Sequence, residues 1–344
     1  MTLQIVYVLT SDGKDSHADL NLVSAMSARI HNPTAKIVLV CDEKSAAALK
    51  QSFHRICSIV DAIVSVSTPD GSAGFRNRFV KTSMRQAVEG PFLYLDADTV
   101  VRGSLGVSIF DDCDMASAPN HSGTGAPKEI PGCELATFSQ LNWDTPSRWY
   151  VNGGVHFFQD NARVHRFFDE WHKRWQQCSS STGKHFDQPA LNSALNSCDL
   201  RFQWLPEGWN AQIHARPFTA ANATIWHFYT SGHHASPRTH VDRLLARMQS
   251  GGTITLDDVR KLSLRKHPWV TRGPISVIAV RRLLQQQSLL QPLQWEPLWL
   301  AGQSNEVLAA LFRNAREAGS EALLFLWTGF RRRAGKLRRK IFGT

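Results

Sequence analysis

Phe92-Leu93-Tyr94-Leu95-Asp96-Ala97-Asp98-Thr99 sets two carboxylates, one residue apart, directly after a run of four apolar side chains. A run this short and apolar reads as a buried strand, so the carboxylates stand where it emerges into solvent. Alternate side chains of an extended chain share a face, and Asp96 and Asp98 can therefore converge on one hard cation while Ala97 stays aside. An isolated Asp-x-Asp at a strand end is just as often a loop cap, so its surroundings decide the reading.

Upstream, β-rich runs alternate with helical patterns. Strands are expected at Leu3–Thr10, Lys36–Cys41, Ala62–Val66 and Phe92–Leu95, with helices near Leu20–Ile30, Lys44–Phe53 and Arg78–Val88 between them. Such alternation predicts βαβ units and an α/β fold with a mostly parallel central sheet. Ligands of such sheets bind beyond the carboxyl ends of the strands, where Thr10-Ser11-Asp12, Cys41-Asp42 and Asp96-Ala97-Asp98 would share one edge. Downstream, Asn120–Pro146 is rich in Gly, Pro, Ser and Thr and reads as a long loop. Tyr150–Phe158 reads as a strand whose Gly153-Gly154 pair admits a close neighbour. A helix is expected over Ala162–Gln176, with Val164, Phe167, Phe168, Trp171 and Trp175 as its core face, and a second near Gln188–Asn196. Strands are expected at Arg201–Leu205 and Thr224–Tyr229, with helical accessory segments beyond about His240.

Composition narrows the class. With 344 residues and 42% hydrophobic content the chain can bury a full core and is not disordered. Its net charge of +10 is mostly local: seven arginines and lysines between Arg331 and Lys340, with no acid among them, leave only +3 for the rest. The six cysteines are scattered without a C-x-x-C pair, which argues against a zinc ribbon or disulfide framework and for a reducing compartment. The N-terminus reads as a first strand rather than a signal peptide, and no window has the roughly 20 apolar residues of a membrane span. The expected location is cytosolic, at a membrane surface.

Together, Leu93–Val101, Val151-Asn152-Gly153-Gly154-Val155, Asp187-Gln188-Pro189-Ala190-Leu191-Asn192 and Trp226-His227-Phe228 resemble glycosyltransferase family eight, the glycogenin-like and lipopolysaccharide galactosyltransferase-like enzymes of the GT-A fold. The resemblance runs over residues 1–235. It implies a nucleotide-diphospho-sugar transferase domain, a UDP-linked hexose donor, a glycan or glycolipid acceptor and retention at the anomeric carbon. It also implies that Asp96 contacts ribose and metal, that Asp98 binds the metal, and that His227 completes the protein ligands. The physical chemistry agrees, because expelling a nucleoside diphosphate builds charge that a divalent cation can offset. Oxygen ligands with one imidazole suit Mn²⁺, with Mg²⁺ as the alternative.

The same resemblance places Thr10 and Asp12 at the nucleoside, Lys81 toward the donor, and Asn152 and Gly153 against the sugar or diphosphate. It sets Asp187 and Gln188 beneath the transferred sugar, as the catalytic pair. Each position has a plain alternative: a polar turn for Thr10 and Asp12, a solvated lysine for Lys81, a tight strand-end turn for Asn152 and Gly153, a helix N-cap for Asp187, a core histidine for His227. Trp209-Asn210 resembles an acceptor-side element. One departure stands out: the family follows its histidine with glycine and a lysine-proline-tryptophan run, whereas this chain reads His227-Phe228-Tyr229-Thr230-Ser231-Gly232-His233-His234 and on to Arg238. His233, His234 or Arg238 would then substitute for the diphosphate-binding lysine.

The expected organisation is a GT-A domain over residues 1–238, a helical accessory region over 239–319 and a basic amphipathic tail over 320–344. In the tail Leu323, Trp327, Phe330, Ala334, Leu337 and Ile341 recur at helical steps among basic residues, which suits an anionic membrane surface; nucleic acid is not an expected partner. Two other classes compete. A haloacid-dehalogenase-like phosphatase would use Asp96 as nucleophile, although that motif normally opens its domain and here some ninety residues precede it. The other is a non-catalytic basic-tailed adaptor for membranes or nucleic acid.

Overall fold

A computed structural model describes residues 3–12, 15–106, 110–120, 130–146, 150–206, 208–213, 220, 222–228 and 239–270. Strand and helix alternate through β1 (Gln4–Leu9), α1 (Ser16–His31), β2 (Lys36–Asp42), α2 (Glu43–Gln51), β3 (Ala62–Val66), α3 (Ala73–Ser83) and β4 (Phe92–Leu95). Each of the three helices opens on a side-chain cap: Asp15, Asp42 and Ser72 accept backbone N–H bonds from His17, Ser45 and Phe75. These caps satisfy donors that the first helical turn leaves without partners. The chain continues through β5 (Thr99–Val101), β6 (Met115–Pro119), α4 (Gly132–Gln140), β7 (Val151–Phe158), α5 (Ala162–Thr182), α6 (Gln188–Ser197), β8 (Phe202–Trp204), β9 (Ala211–Gln212), β10 (Ile225–His227), α7 (His240–Gln249) and α8 (Leu256–Ser263).

Among the described residues seven strands form the central sheet in the order β3-β2-β1-β4-β7-β6-β8. The pairs β1–β2, β2–β3, β1–β4 and β6–β8 are parallel, while β7 runs antiparallel to both β4 and β6. The sheet is thus mostly parallel, as the alternation predicts. Residue parity divides it into two cores: Ile5, Tyr7 and Leu9 face α1, α7 and α8, whereas Val6 and Val8 face α3, α5 and α6. On α5, Val164, Phe167, Phe168, Trp171 and Trp175 are buried as expected. Each such phenylalanine contributes about 1.5–3 kcal/mol by leaving water. The helix runs six residues past its expected end to Thr182 and stops at Gly183, whose φ of 66° is the left-handed conformation of a helix C-cap.

A second sheet has the order β5-β10-β9, with β10 antiparallel to β5 and parallel to β9. The expected loop over Asn120–Pro146 contains α4, which had no strong periodicity to announce it. Helices α7 and α8 open on Thr239/Asp242 and Thr255/Asp258 capping boxes and bury Val241, Leu245, Val259 and Leu262 in the core they share with α1. None of the six cysteines is bridged. Among the described residues no helix is long and apolar enough to cross a membrane. Residues 271–319 of the expected accessory region, the 320–344 tail, His233, His234 and Arg238 lie outside the described residues.

Candidate active site

Backbone pairing explains how residues far apart in sequence meet. Leu95 pairs with Val155, and the Asp96 amide then donates to Gly154 O at 2.8 Å, which seats the first carboxylate on the glycine pair of β7. The chain turns through Ala97 and Asp98 into β5, whose first residue, Thr99, pairs with His227 at the end of β10. Phe228 N donates to Asp98 O at 2.8 Å and closes that register. His227 Nε2 consequently lies 3.2 Å from Asp98 Oδ1 and 3.9 Å from Asp96 Oδ2.

One atom from each of Asp96, Asp98 and His227 lies within 4.8 Å of the others, and no other carboxylate, histidine or cysteine cluster of this kind occurs among the described residues. The donor set fits a hard divalent cation. His227 turns its Nδ1 to Asn210 Oδ1 at 2.9 Å, which orients Nε2 toward the carboxylates, as a hydrogen bond on the other ring nitrogen does for metal-binding imidazoles. Gly154 leaves the necessary room, since a Cβ there would come within 2.4 Å of His227 Cε1 and 3.0 Å of Asp96 Oδ2. Burial alone would favour neutral His227, yet the Asp98 and Asp96 carboxylates outweigh it and hold the imidazole pKa above its ordinary value. For Asp98 burial pulls upward, and the His227 charge and hydrogen bond overcome it, leaving the carboxyl below its ordinary value.

A second cluster adjoins the first through Lys81. Its side chain is 3% exposed, and Nζ sits 3.1 Å from Asp96 Oδ1 and 2.9 Å from Asp187 Oδ2. It also stands 5.1 Å from the centre of the Tyr94 ring, whose hydroxyl donates to Asp96 Oδ1. Arg78, one turn earlier on α3, places Nε 2.9 Å from Asp187 Oδ1. Burial would raise the Asp187 carboxyl, but Arg78 and Lys81 hold it far below the usual carboxylate range. Asp187 begins α6 without a side-chain capping bond, so its carboxylate serves the two cations rather than the helix. Gln188 Oε1 accepts from Gly153 N at 2.9 Å, and its Nε2 donates to Glu134 Oε2 at 3.0 Å. Burial lifts the Glu134 carboxyl above its ordinary value, against the opposing Tyr150 and Gln188 hydrogen bonds.

Both clusters line one cavity of about 480 Å³. Of the sequence-predicted residues, Lys81, Asp96, Asp98, Asn152, Gly153, Asp187, Gln188 and His227 line it together. Thr10 and Asp12 are not among its lining residues: Thr10 Oγ1 donates to Ala73 O at 3.0 Å, and Asp12 N donates to Asp15 Oδ2 at 3.1 Å. Asn210 links His227 to Asn152, its Oδ1 2.9 Å from His227 Nδ1 and its Nδ2 donating to Asn152 Oδ1 at 2.9 Å. Arg78 and Glu134 were not singled out in the sequence. Arg78 could have been found from the i, i+3 spacing to Lys81; Glu134 carries no comparable signal.

No protein-family model matches the chain, and no curated protein matches it. Solved structures similar to it include the galactosyltransferase LgtC in complex with donor and acceptor sugar analogues, at 14% identity over 74% of this chain and 97% of that one, with a TM-score of 0.45. The glycosyltransferase GlyE of Streptococcus pneumoniae TIGR4 is 16% identical, covering 78% of this chain and 66% of its own, with a TM-score of 0.47. Mouse xyloside xylosyltransferase 1 is 12% identical, covering 67% and 98%, with a TM-score of 0.44.

Proposed function

We propose that this chain is a metal-dependent glycosyltransferase that moves a hexose from a nucleoside-diphosphate sugar, UDP-linked, to a hydroxyl of a glycan or glycolipid, with retention. The observation that carries the reading is a single cavity in which Asp96, Asp98 and His227 stand beside Lys81, Asp187 and Gln188, with Gly153 and Gly154 packed against both groups. Asp96, Asp98 and His227 would hold Mn²⁺ or Mg²⁺, which supplies Lewis-acid relief of the charge on a departing diphosphate. Lys81 adds a buried positive charge, and its two ion pairs fix the distance between Asp96 and Asp187. Asp187, ionised and clamped by Arg78, is suited to accept hydrogen bonds from sugar hydroxyls. Gln188 presents a carbonyl oxygen whose dipole favours positive charge at the reacting carbon. Asn152 and Gly153 form the wall against the donor. Thr10 and Asp12, at the end of β1, are assigned to the nucleoside.

Phe186, 37% exposed at the cavity, offers an apolar face to a sugar ring. The basic 320–344 segment would hold a cytosolic enzyme on the anionic membrane that carries its acceptor. Incubation with a nucleotide-sugar panel and Mn²⁺, reading released diphosphate, tests the reading. Release from one donor supports it; hydrolysis of p-nitrophenyl phosphate with every nucleotide sugar left intact would overturn it in favour of a phosphatase. Sedimentation with phosphatidylserine vesicles, with and without residues 331–344, tests the membrane attachment, which fails if the shortened chain still sediments.

A further inference from the structure

A carboxamide has two orientations, related by a half-turn, that are nearly identical in shape and opposite in polarity. Gln188 would need only one of them, because a carbonyl oxygen favours positive charge beside it and an NH₂ group opposes it. On one side Gln188 meets donors: Gly153 N at 2.9 Å and Asn152 Nδ2 at 3.4 Å from Oε1. On the other side Nε2 lies 3.0 Å from Glu134 Oε2 and 3.3 Å from Oε1. Both Glu134 oxygens accept here, Oε2 from the Tyr150 hydroxyl as well, so a flipped amide would oppose oxygen to oxygen and N–H to N–H. We propose that Glu134 is a positioning residue that fixes the orientation of the Gln188 carboxamide, with its carbonyl oxygen on the Gly153 side of the cavity.

Glu134 is itself held. The Tyr150 hydroxyl donates to its Oε2, and Tyr150 is fully buried with its ring edge-on to Phe138 at 6.2 Å. The glutamate stands in the first turn of α4, its amide donating to Pro131 O at 2.9 Å, where the helix dipole favours a negative charge. Glu134 on α4 is thus tied to Gln188 at the start of α6, and both side chains line the cavity. The inference rests on the proposed role of Gln188 in sugar transfer.

Its test uses the full chain with Glu134→Leu, Glu134→Gln and Gln188→Ala, read in two ways. Selective ¹⁵N-glutamine labelling reports solvent exchange of the Gln188 side-chain amide. Exchange should be slow in the parent and about tenfold faster in Glu134→Leu, the loss of one hydrogen bond, with Glu134→Gln between them because it keeps an acceptor oxygen. In turnover, Glu134→Leu should lower kcat about 10–100-fold with donor KM changed less than about threefold, yet cost less than about twofold in the Gln188→Ala background. Unchanged amide exchange, or an equal kcat loss in both backgrounds, overturns the proposal. A parent chain that transfers no sugar defeats the glycosyltransferase reading instead, and amide exchange alone then decides whether Glu134 orients Gln188.

Discussion

His227 donates its Nδ1–H to Asn210 Oδ1 at 2.9 Å, and this bond selects the ring nitrogen that faces Asp98. Asn210 cannot readily turn over, since its Nδ2 donates to Asn152 Oδ1, which also accepts from Gly154 N at 3.0 Å. Asn152 reaches on to Gln188, so one chain of side chains connects the metal-ligand group to the residue proposed at the reacting sugar.

Asn210→Leu keeps the branching of the side chain and removes both the acceptor for His227 and the donor to Asn152. Mn²⁺ affinity should fall about 10–100-fold, the usual cost of losing the hydrogen bond that orients a metal-binding imidazole. Isothermal titration with Mn²⁺ checks this. Unaltered affinity would mean that the carboxylates alone orient the imidazole.

The raised pKa of His227 sets a pH dependence. Metal must displace a proton that Asp98 and Asp96 retain, so Mn²⁺ affinity should climb up to about tenfold per pH unit below that raised pKa and level off above it. Stability of the metal-free protein runs the other way. A pKa raised on folding stabilises fully below the unfolded value near 6.5, and the contribution disappears as pH rises through the folded value. Titrations in buffers of different ionisation enthalpy should count about one proton released per metal at pH 6.

Gly154→Ala sets a Cβ 2.4 Å from His227 Cε1 and 3.0 Å from Asp96 Oδ2, so the buried imidazole must shift to admit it. Stability should fall by about 1–3 kcal/mol and Mn²⁺ binding should weaken sharply, measured by urea unfolding and titration. A variant that binds metal as the parent does would show that the β7 glycine is not required by the cluster.

Much of this site was legible because its residues end regular elements. A four-residue apolar strand announces Asp96 and Asp98, a glycine pair announces the close approach on β7, and Asp187-Gln188-Pro189 announces the start of α6. The pairing of His227 with Thr99 was not legible, because β5 and β10 have three residues each and mark no period. Strand β6 hides in Met115-Ala116-Ser117-Ala118-Pro119, whose small residues lack β-propensity; burial between β7 and β8 makes it a strand. Glu134 was missed for a related reason: α4 has nine residues within a Gly/Pro/Ser/Thr-rich stretch, and only tertiary contacts give its glutamate a purpose. Lys81 could equally have been solvated, and only the packing of α3 beneath Asp96 and Asp187 buries it.

Away from the cavity, Asp114 joins three elements, receiving Arg163 Nε at 2.7 Å, Arg201 Nη2 at 3.0 Å, Asn161 Nδ2 at 2.9 Å and Arg201 N at 2.9 Å. Burial would raise its pKa, but these bonds hold the carboxyl well below the usual range. Its contribution is therefore complete above the unfolded value near 4 and is lost as pH falls below that. Asp114→Ala should cost about 1–3 kcal/mol at pH 7 and flatten the acid limb of stability between pH 4 and 2. Urea unfolding across that range decides it, and an unchanged acid limb would assign the limb to other carboxylates.

The proposed function makes the Asp96–Asp98–His227 group and the Lys81–Asp187–Gln188 group one metal-dependent donor site. Its most direct test is Mn²⁺-dependent diphosphate release from the preferred nucleotide sugar by the parent and by Asp98→Asn, with thermal unfolding followed in parallel. Asp98→Asn should unfold as the parent does and retain less than about 1% of its turnover, the scale on which losing a transition-state charge stabiliser lowers kcat. Full turnover by a folded Asp98→Asn protein would contradict it.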